Sequence, residues 1–253
     1  MVRHGVGLDF IPVEAATAKG IAVANLPGSN TTAVAEYCMS AMLQLYRPLY
    51  RMDALLRREG WVPARAVAER LTELGGSSLG ILGVGTVGRR IAKIAHEGFG
   101  MKVMGTSRRK GSLPPFVQEA PLEELFEKAD TIVVSCSLTD ETRGIVDASL
   151  IARMRRHAIL INVSRGAVVE TAAIVEALNS RTIAGAALDV FDVQPLPADS
   201  ALFKCPNLLL TPHAAAITAS SSRGMSIGAA EEMVRILRGD RPINLVNPES
   251  MAK

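Results

Sequence analysis

The chain has 253 residues, enough to bury one or two ordinary cores, and a composition of 48% hydrophobic and 21% charged residues excludes a disordered chain. A formal net charge of +3, with no basic stripe interleaved with aromatics, argues against nucleic acid or a membrane surface as partner. Cys38, Cys136 and Cys205 are too scattered for a zinc site or a disulfide framework and suit a reducing cytoplasm; there is no apolar signal core, and no run approaches the ~18 residues of a membrane helix.

Taken in order, Val2 to Gly7 reads as a short strand, residues 12–19 as a helix and Ile21 to Asn25 as a second short strand, which together make a βαβ fragment. Residues 27–31 form a loop with capping side chains. Apolar positions 34, 37, 38, 41, 42, 45, 49, 52, 55 and 56 then predict a long amphipathic helix over residues 31–58. Pro48 should kink or break it, because proline lacks an N–H and its ring clashes with the preceding turn. Gly60-Trp61 ends that element, and the polar stretch to Ser78 reads as a loop.

The next segment carries the chemistry. Leu79 to Val84 is a short apolar run of strand type, broken by Gly83-Val84-Gly85-Thr86-Val87-Gly88, after which apolar residues at 87, 91, 94 and 95 keep helical spacing. A helix N-terminus presents unpaired N–H groups and partial positive charge, and glycines let the backbone approach an anion. Gly83, Gly85, Thr86, Val87 and Gly88 are therefore candidates to hold a pyrophosphate. A second apolar run, Met101 to Gly105, completes the βαβ dinucleotide unit and separates this motif from an ordinary glycine turn. At its end stand Thr106, Ser107, Arg108 and Arg109, where an acidic residue would grip a ribose 2′-hydroxyl. Hydroxyls and guanidinium groups suit a 2′-phosphate, so the expected cofactor is NADP(H) rather than NAD(H); a solvated basic turn is the alternative.

Beyond two prolines, Leu122 to Lys128 reads as a short helix. Strands follow at Ala129 to Ser135, Ala158 to Val163, Ile183 to Val190 and Asn207 to Thr211, with a long helix over 214–238. Apolar strands alternating with helices predict an α/β fold with a doubly wound parallel sheet whose ligands bind at the strands' carboxyl ends. Polar groups cluster at those ends: Cys136-Ser137-Leu138-Thr139, Asn162-Val163-Ser164-Arg165-Gly166, Asp189 followed by Gln194-Pro195, and Thr211-Pro212-His213. An Arg can clamp a carboxylate and polarise a neighbouring carbonyl, while a His can pass a proton to oxygen as hydride reaches carbon, which is 2-oxo acid reduction.

These residues lie in the segments HGVGLDFI, PGSNTTAVAE, GILGVGTVGRRIA, CSLTDETRG, INVSRGAVVE, AGAALDVFDVQPLP and LLLTPHAA. In order and spacing the chain resembles the D-isomer-specific 2-hydroxyacid dehydrogenase family from Gly5 almost to its end. The resemblance implies two Rossmann-like domains with the cofactor between them, the dinucleotide domain over 30–213 and a substrate domain from 1–29 and 214–253. It implies that Arg165 binds substrate, that His213 is the acid/base, and that the backbone at Val6 and Gly7 receives the substrate carboxylate with Asn30 at the pocket's border. Asp189 would bind the nicotinamide carboxamide, with Cys136, Ser137, Thr142, Val163 and His213 as further cofactor contacts. The other histidines, His4, His96 and His157, read as surface or packing residues, with His4 the one nearest the pocket.

Two departures from the family stand out. Gln194 replaces the usual Glu beside the histidine; it can orient the imidazole but carries no charge to favour imidazolium, and Asp192 is a poorly placed substitute. Family members also carry further βα units before the segment equivalent to Val2–Gly7; without them strand edge and apolar surface would be uncovered, and association or local disorder at the N-terminus is expected. The expected activity is hydride transfer between NADP(H) and a small 2-oxo acid, of the glyoxylate or hydroxypyruvate reductase kind, in a homodimer formed through helix 31–58. The alternative is a catalytically weakened NADP-binding regulatory or interaction module.

Overall fold

Short apolar runs, each too brief to close two helical turns, line up as a single sheet. In the computed structural model, which describes residues 1–69, 71–108 and 111–251, the strands are β1 (Ser78–Leu82), β2 (Lys102–Thr106), β3 (Val117–Glu119), β4 (Thr131–Val134), β5 (Ile159–Asn162), β6 (Gly185–Leu188) and β7 (Leu208–Leu210). All pair in parallel, in the order β3-β2-β1-β4-β5-β6-β7. Every residue of β4, β5 and β6 is buried, as a sheet covered on both faces requires, whereas the edge strand β7 is half-exposed. The strand order reverses between β1 and β4, and the doubly wound arrangement opens a crevice at the carboxyl ends there.

The chain divides into two compact units, one of Val34–Ala215 and one of Met1–Ala33 with Ala216–Lys253. In the first, helix α5 (Thr86–Phe99) connects β1 to β2, and α6 (Leu122–Lys128) packs on the sheet. The contact with α6 is close because β1 carries Gly80: a Cβ there would stand 2.8 Å from Ile132 and 3.0 Å from Leu125. Beside α6 lie α7 (Ala148–Ile151) and, against α7, α8 (Thr171–Asn179), and Leu125, Phe126, Ile132, Leu160 and Ile174, the last from α8, are fully buried between these layers.

Pro48 does break the long amphipathic segment, into α2 (Thr31–Tyr46) and α3 (Leu49–Glu59). The stretch after Gly60 differs from the loop expected of it: Trp61–Ala68 is a helix, α4, packed against α3. Gly60, at φ +87°, ends one helix and opens the next, and Pro63 falls in the first turn, where no intrahelical N–H is needed. The strand β3 was also hidden, since three residues carry no readable period.

In the terminal unit the expected βαβ fragment is reduced. Helix α1 (Val13–Ala18) forms, but the flanking runs meet only at isolated bridges, Val2 with Ala24 in parallel and Ala24 with Leu245 antiparallel. Gly5, at φ +129°, bends the first run after a single bridge. The buried Asn247 ties this unit together: its side chain accepts from Val23 N (2.7 Å) and donates to Thr17 Oγ1 (2.8 Å) and Ile21 O (3.0 Å). The last long helix, α9, spans Ala219–Leu237 rather than starting at 214, because Thr218 and Ser221 close a reciprocal cap at its start. Among the described residues no helix is long and apolar enough to cross a membrane.

At the sheet's amino end, Asp130 accepts from Ser78 N (2.8 Å), Ser78 Oγ (2.7 Å), Arg155 Nη1 (2.7 Å) and His157 Nε2 (2.8 Å), which pins the starts of β1, β4 and β5 to one another. Burial alone would raise this carboxyl; the bonds from His157, Ser78 and Arg155 outweigh it and hold it well below the usual carboxylate range. A depressed pKa adds stability above the unfolded value of about 4 and loses it as pH falls below that. Asp130→Asn should therefore cost about 1–2 kcal/mol near neutrality. In urea unfolding, the gap to the parent should close as pH falls below about 4; a gap independent of pH would contradict the assignment.

Candidate active site

Three glycines shape the turn after β1, each differently. Gly83 has φ +94°, and a Cβ there would lie 2.5–2.7 Å from Cys136, so only glycine lets this turn pass the end of β4. At Gly88 a Cβ would stand 2.6 Å from Gly83 O, which is how α5 comes close to the strand. Around Gly85, by contrast, a Cβ would meet nothing within 4 Å. Gly85 is also the N-cap of α5, and no side chain caps it, so the N–H groups of the first turn are available to a ligand.

Gly85 opens on a cavity of about 630 Å³. Gly83, Thr86, Ser107 and Arg108 line it on one side, and Cys136, Ser137 and Thr142 on the other. Thr142 Oγ1 donates to Ser137 O (2.7 Å) and accepts from Thr139 N (2.8 Å), closing the loop that follows β4. Burial pushes the Cys136 thiol up to about 11 against the opposing pull of its own backbone N–H and Arg108, so it is a neutral wall and not a nucleophile. Val87, Gly88 and Val163 do not line the cavity; Gly88 acts through packing, and Val163 donates its N–H to Val134 O (3.2 Å).

The cavity's far corner is basic and hydroxylated. Ser107 Oγ and Ser112 Oγ are 3.0 Å apart, and Arg89 on α5 donates to Ser112 O. Arg89 lines the cavity with Arg108 but was not among the expected contacts; its place three residues after Thr86, on the same helix face, is the readable signal. Glu141 also lines it. Arg109 lies outside the described residues. The residues present fit a dinucleotide: an open glycine at a helix start for the pyrophosphate, and two cations with two hydroxyls for a further phosphate.

The second group of polar residues stands at the ends of β5, β6 and β7. Asn162, 1% exposed, accepts from Ser164 N and Ser164 Oγ (3.0 Å each) and donates to Arg165 O (3.0 Å), which shapes the Ser164-Arg165-Gly166 loop. Arg165 Nη1 donates to Ser164 O (2.7 Å). Gly166 lies directly against the backbone of Phe191 and Asp192, so the β5 and β6 loops touch where any Cβ would collide. Beyond β6, Asp189 accepts from Thr211 Oγ1 (2.6 Å), Ala214 N (2.7 Å) and Ala215 N (3.0 Å). These bonds fold the turn that exposes His213, whose own N–H donates to Asp189 O (2.8 Å) and Thr211 O (3.0 Å).

The imidazole has a defined partner. Gln194 Nε2 donates to Phe191 O (3.1 Å), which leaves Oε1 as the acceptor, and His213 Nδ1 lies 2.9 Å from it. The hydrogen-bond pattern assigns the Nδ1–H tautomer and frees Nε2 for proton transfer. Asp192 is not a substitute partner: it accepts from Thr171 Oγ1 (2.9 Å) at the start of α8. Gln194, Thr211 and His213 border a second cavity of about 550 Å³, whose other walls are apolar residues such as Phe191, Phe203 and Leu210.

In the terminal unit, Val6 O accepts from Asn25 Nδ2 (2.9 Å), Gly7 O accepts from Arg3 Nε (3.2 Å), and the half-buried Asn30 precedes α2. His4 there contacts Ser226 Oγ (3.2 Å), while His96 stacks on Phe116 and His157 serves Asp130, which are packing and structural roles.

Residues 39–215 match the family model described as D-isomer specific 2-hydroxyacid dehydrogenase, NAD binding domain. The chain is 40% identical to a glyoxylate reductase of Aeropyrum pernix, over 98% of this chain and 76% of that protein. Its fold is similar to the TT0316 protein of Thermus thermophilus (TM-score 0.88, 35% identity, 96% of this chain and 77% of that one). It is also similar to an NAD-dependent formate dehydrogenase of Staphylococcus aureus in complex with NAD (TM-score 0.85, 29% identity, 95% and 72%).

The glycine geometry separates packing from binding. Gly83→Ala should destabilise the fold by about 2 kcal/mol or more, because the substitution is strained in φ and collides with Cys136. Gly85→Ala should cost about 1 kcal/mol or less and weaken dinucleotide binding about tenfold. Thermal unfolding and cofactor titration of both variants check this; equal losses of stability would contradict it.

Proposed function

The chain belongs to the D-isomer specific 2-hydroxyacid dehydrogenase family, nicotinamide-dependent oxidoreductases acting on CH–OH donors, and from that premise we propose that it reduces a small 2-oxo acid with NADPH. The observation that carries this reading is the Gln194–His213 contact, an oriented imidazole with Nε2 left to act. A binding module has no use for such an imidazole.

When bound, NADPH supplies a hydride to C2 of the oxo acid. For this step His213 first takes a proton from solvent at Nε2; the imidazolium gives that proton to the carbonyl oxygen, so that C=O becomes H–C–O–H and the Nδ1–H imidazole held by Gln194 remains. Arg165, steadied by its bond to Ser164 O, presents a planar guanidinium suited to a carboxylate. Gln194 fixes the tautomer and adds no charge. Ser107, Arg108 and Arg89 support the 2′-phosphate of NADPH, and glyoxylate, the substrate in the name of the Aeropyrum pernix relative, is the first candidate oxo acid.

Leu49 and Tyr50 on α3 are 60% and 80% exposed, apolar surface that favours a homodimer through residues 31–58. The unpaired Cys38, Cys136 and Cys205 favour the cytoplasm.

Cofactor oxidation measured with glyoxylate, hydroxypyruvate and bulkier 2-oxo acids tests the proposal. NADPH should be preferred over NADH by about tenfold or more, and Ser107→Asp combined with Arg108→Ala should reverse the order, since a carboxylate repels the 2′-phosphate and accepts from the 2′-hydroxyl. Equal use of both cofactors by the parent would overturn the phosphate site, and no oxidation with any 2-oxo acid would overturn the activity.

A further inference from the structure

From α2, the side chain of Tyr37 reaches the turn carrying His213. Its hydroxyl lies 2.7 Å from Thr211 Oγ1, which lies 2.6 Å from Asp189 Oδ1. The direction of this chain follows from its far end. Asp189 Oδ1 also accepts from Ala214 N and Oδ2 from Ala215 N, and a carboxylate only accepts. Thr211 must therefore direct its proton to Asp189, and Tyr37 must donate to Thr211.

The donor is permanent near neutrality. Burial, helped by Asp189 and Cys38 and opposed by the bond to Thr211, pushes the Tyr37 phenol up to about 12. The turn it serves is under strain: His213 has φ +54°, a left-handed conformation that a non-glycine residue adopts only when its neighbours impose it. Those neighbours are Thr211 and Asp189, whose carbonyls receive the His213 N–H on either side. Nothing in the sequence pattern singled out Tyr37, which on α2 reads as one more position of an apolar face.

We propose that Tyr37 is a positioning residue for His213, holding the Thr211–Asp189 pair so that the imidazole keeps its place at the end of β7. This inference rests on the reading of His213 as the acid/base. Removing the phenol leaves Thr211 Oγ1 without its donor and lets the Thr211–Asp189 bond rotate, and the loss appears at the imidazole rather than at the cofactor.

The test compares Tyr37→Phe, Thr211→Val, the double variant and Thr211→Ser. In reduction of a 2-oxo acid, Tyr37→Phe should lower kcat about tenfold and leave the KM for NADPH within about twofold. Thr211→Val should lose at least as much, and the double variant no more than Thr211→Val alone, because the tyrosine acts through the threonine. Thr211→Ser, which keeps the hydroxyl, should recover most of the loss. Independently of turnover, the His213 ring resonance, assigned by its disappearance in His213→Gln, should shift in Tyr37→Phe while those of His96 and His157 stay in place. A fall in melting temperature with kcat and the His213 resonance unchanged, or losses that multiply in the double variant, would overturn the inference. A parent that reduces no 2-oxo acid would overturn the proposed function instead, and the ring resonance alone would then decide the role of Tyr37.

Discussion

A carboxylate buried to 2% exposure has to find donors, and Asp189 finds them in one place. Thr211 Oγ1, Ala214 N and Ala215 N all turn inward to it, and the two residues between them, Pro212 and His213, are left exposed. The left-handed backbone at His213 is the cost of that wrapping, offset by the two carbonyls that receive its N–H. Gln194, from the loop after β6, then meets the imidazole from the side. The exposed imidazole thus depends on a buried carboxylate.

The same strand ends divide the labour of binding. Toward β1 and β2 the crevice is lined by backbone N–H groups, hydroxyls and guanidinium groups, the chemistry of phosphate recognition. Toward β6 and β7 a second cavity is walled by apolar residues such as Phe191, Phe203 and Leu210, with Gln194, Thr211 and His213 as its polar side chains. Gly83 and Gly166 hold these regions together, because each marks a loop pressed against its neighbour where a side chain cannot fit. Parallel strands make this possible by delivering every loop to one edge of the sheet.

Much of this was legible in the sequence, for reasons that differ by residue. The glycine turn and the strands β4 to β7 follow from local patterns, whereas the roles expected of Arg165, Asp189, Gln194 and His213 come from the family resemblance. Arg89 and Tyr37 did not stand out, because each acts through a contact between elements, Arg89 with Ser112 and Tyr37 with Thr211, and helical spacing cannot show what faces a helix. Asp192, poorly placed to replace the missing carboxylate on the sequence alone, is engaged by Thr171. Helix α4 was masked by Gly60 and Pro63, residues that signal a loop yet fit a helix start. The runs at Val2 and Ile21 have strand composition but only a single bridge between them, since pairing is decided by partners and not by propensity.

Hydride transfer to a 2-oxo acid is tested most directly by isotope transfer. The chain is incubated with glyoxylate and NADPH carrying deuterium at C4 of the nicotinamide, each of the two C4 positions labelled in turn, and the product is read by mass spectrometry. A bound cofactor beside an oriented His213 should deliver deuterium to C2 of glycolate from one of the two labelled forms and not from the other. NADPH that binds but passes deuterium to glycolate from neither form would contradict the assignment of His213 and Arg165 to a reductase site.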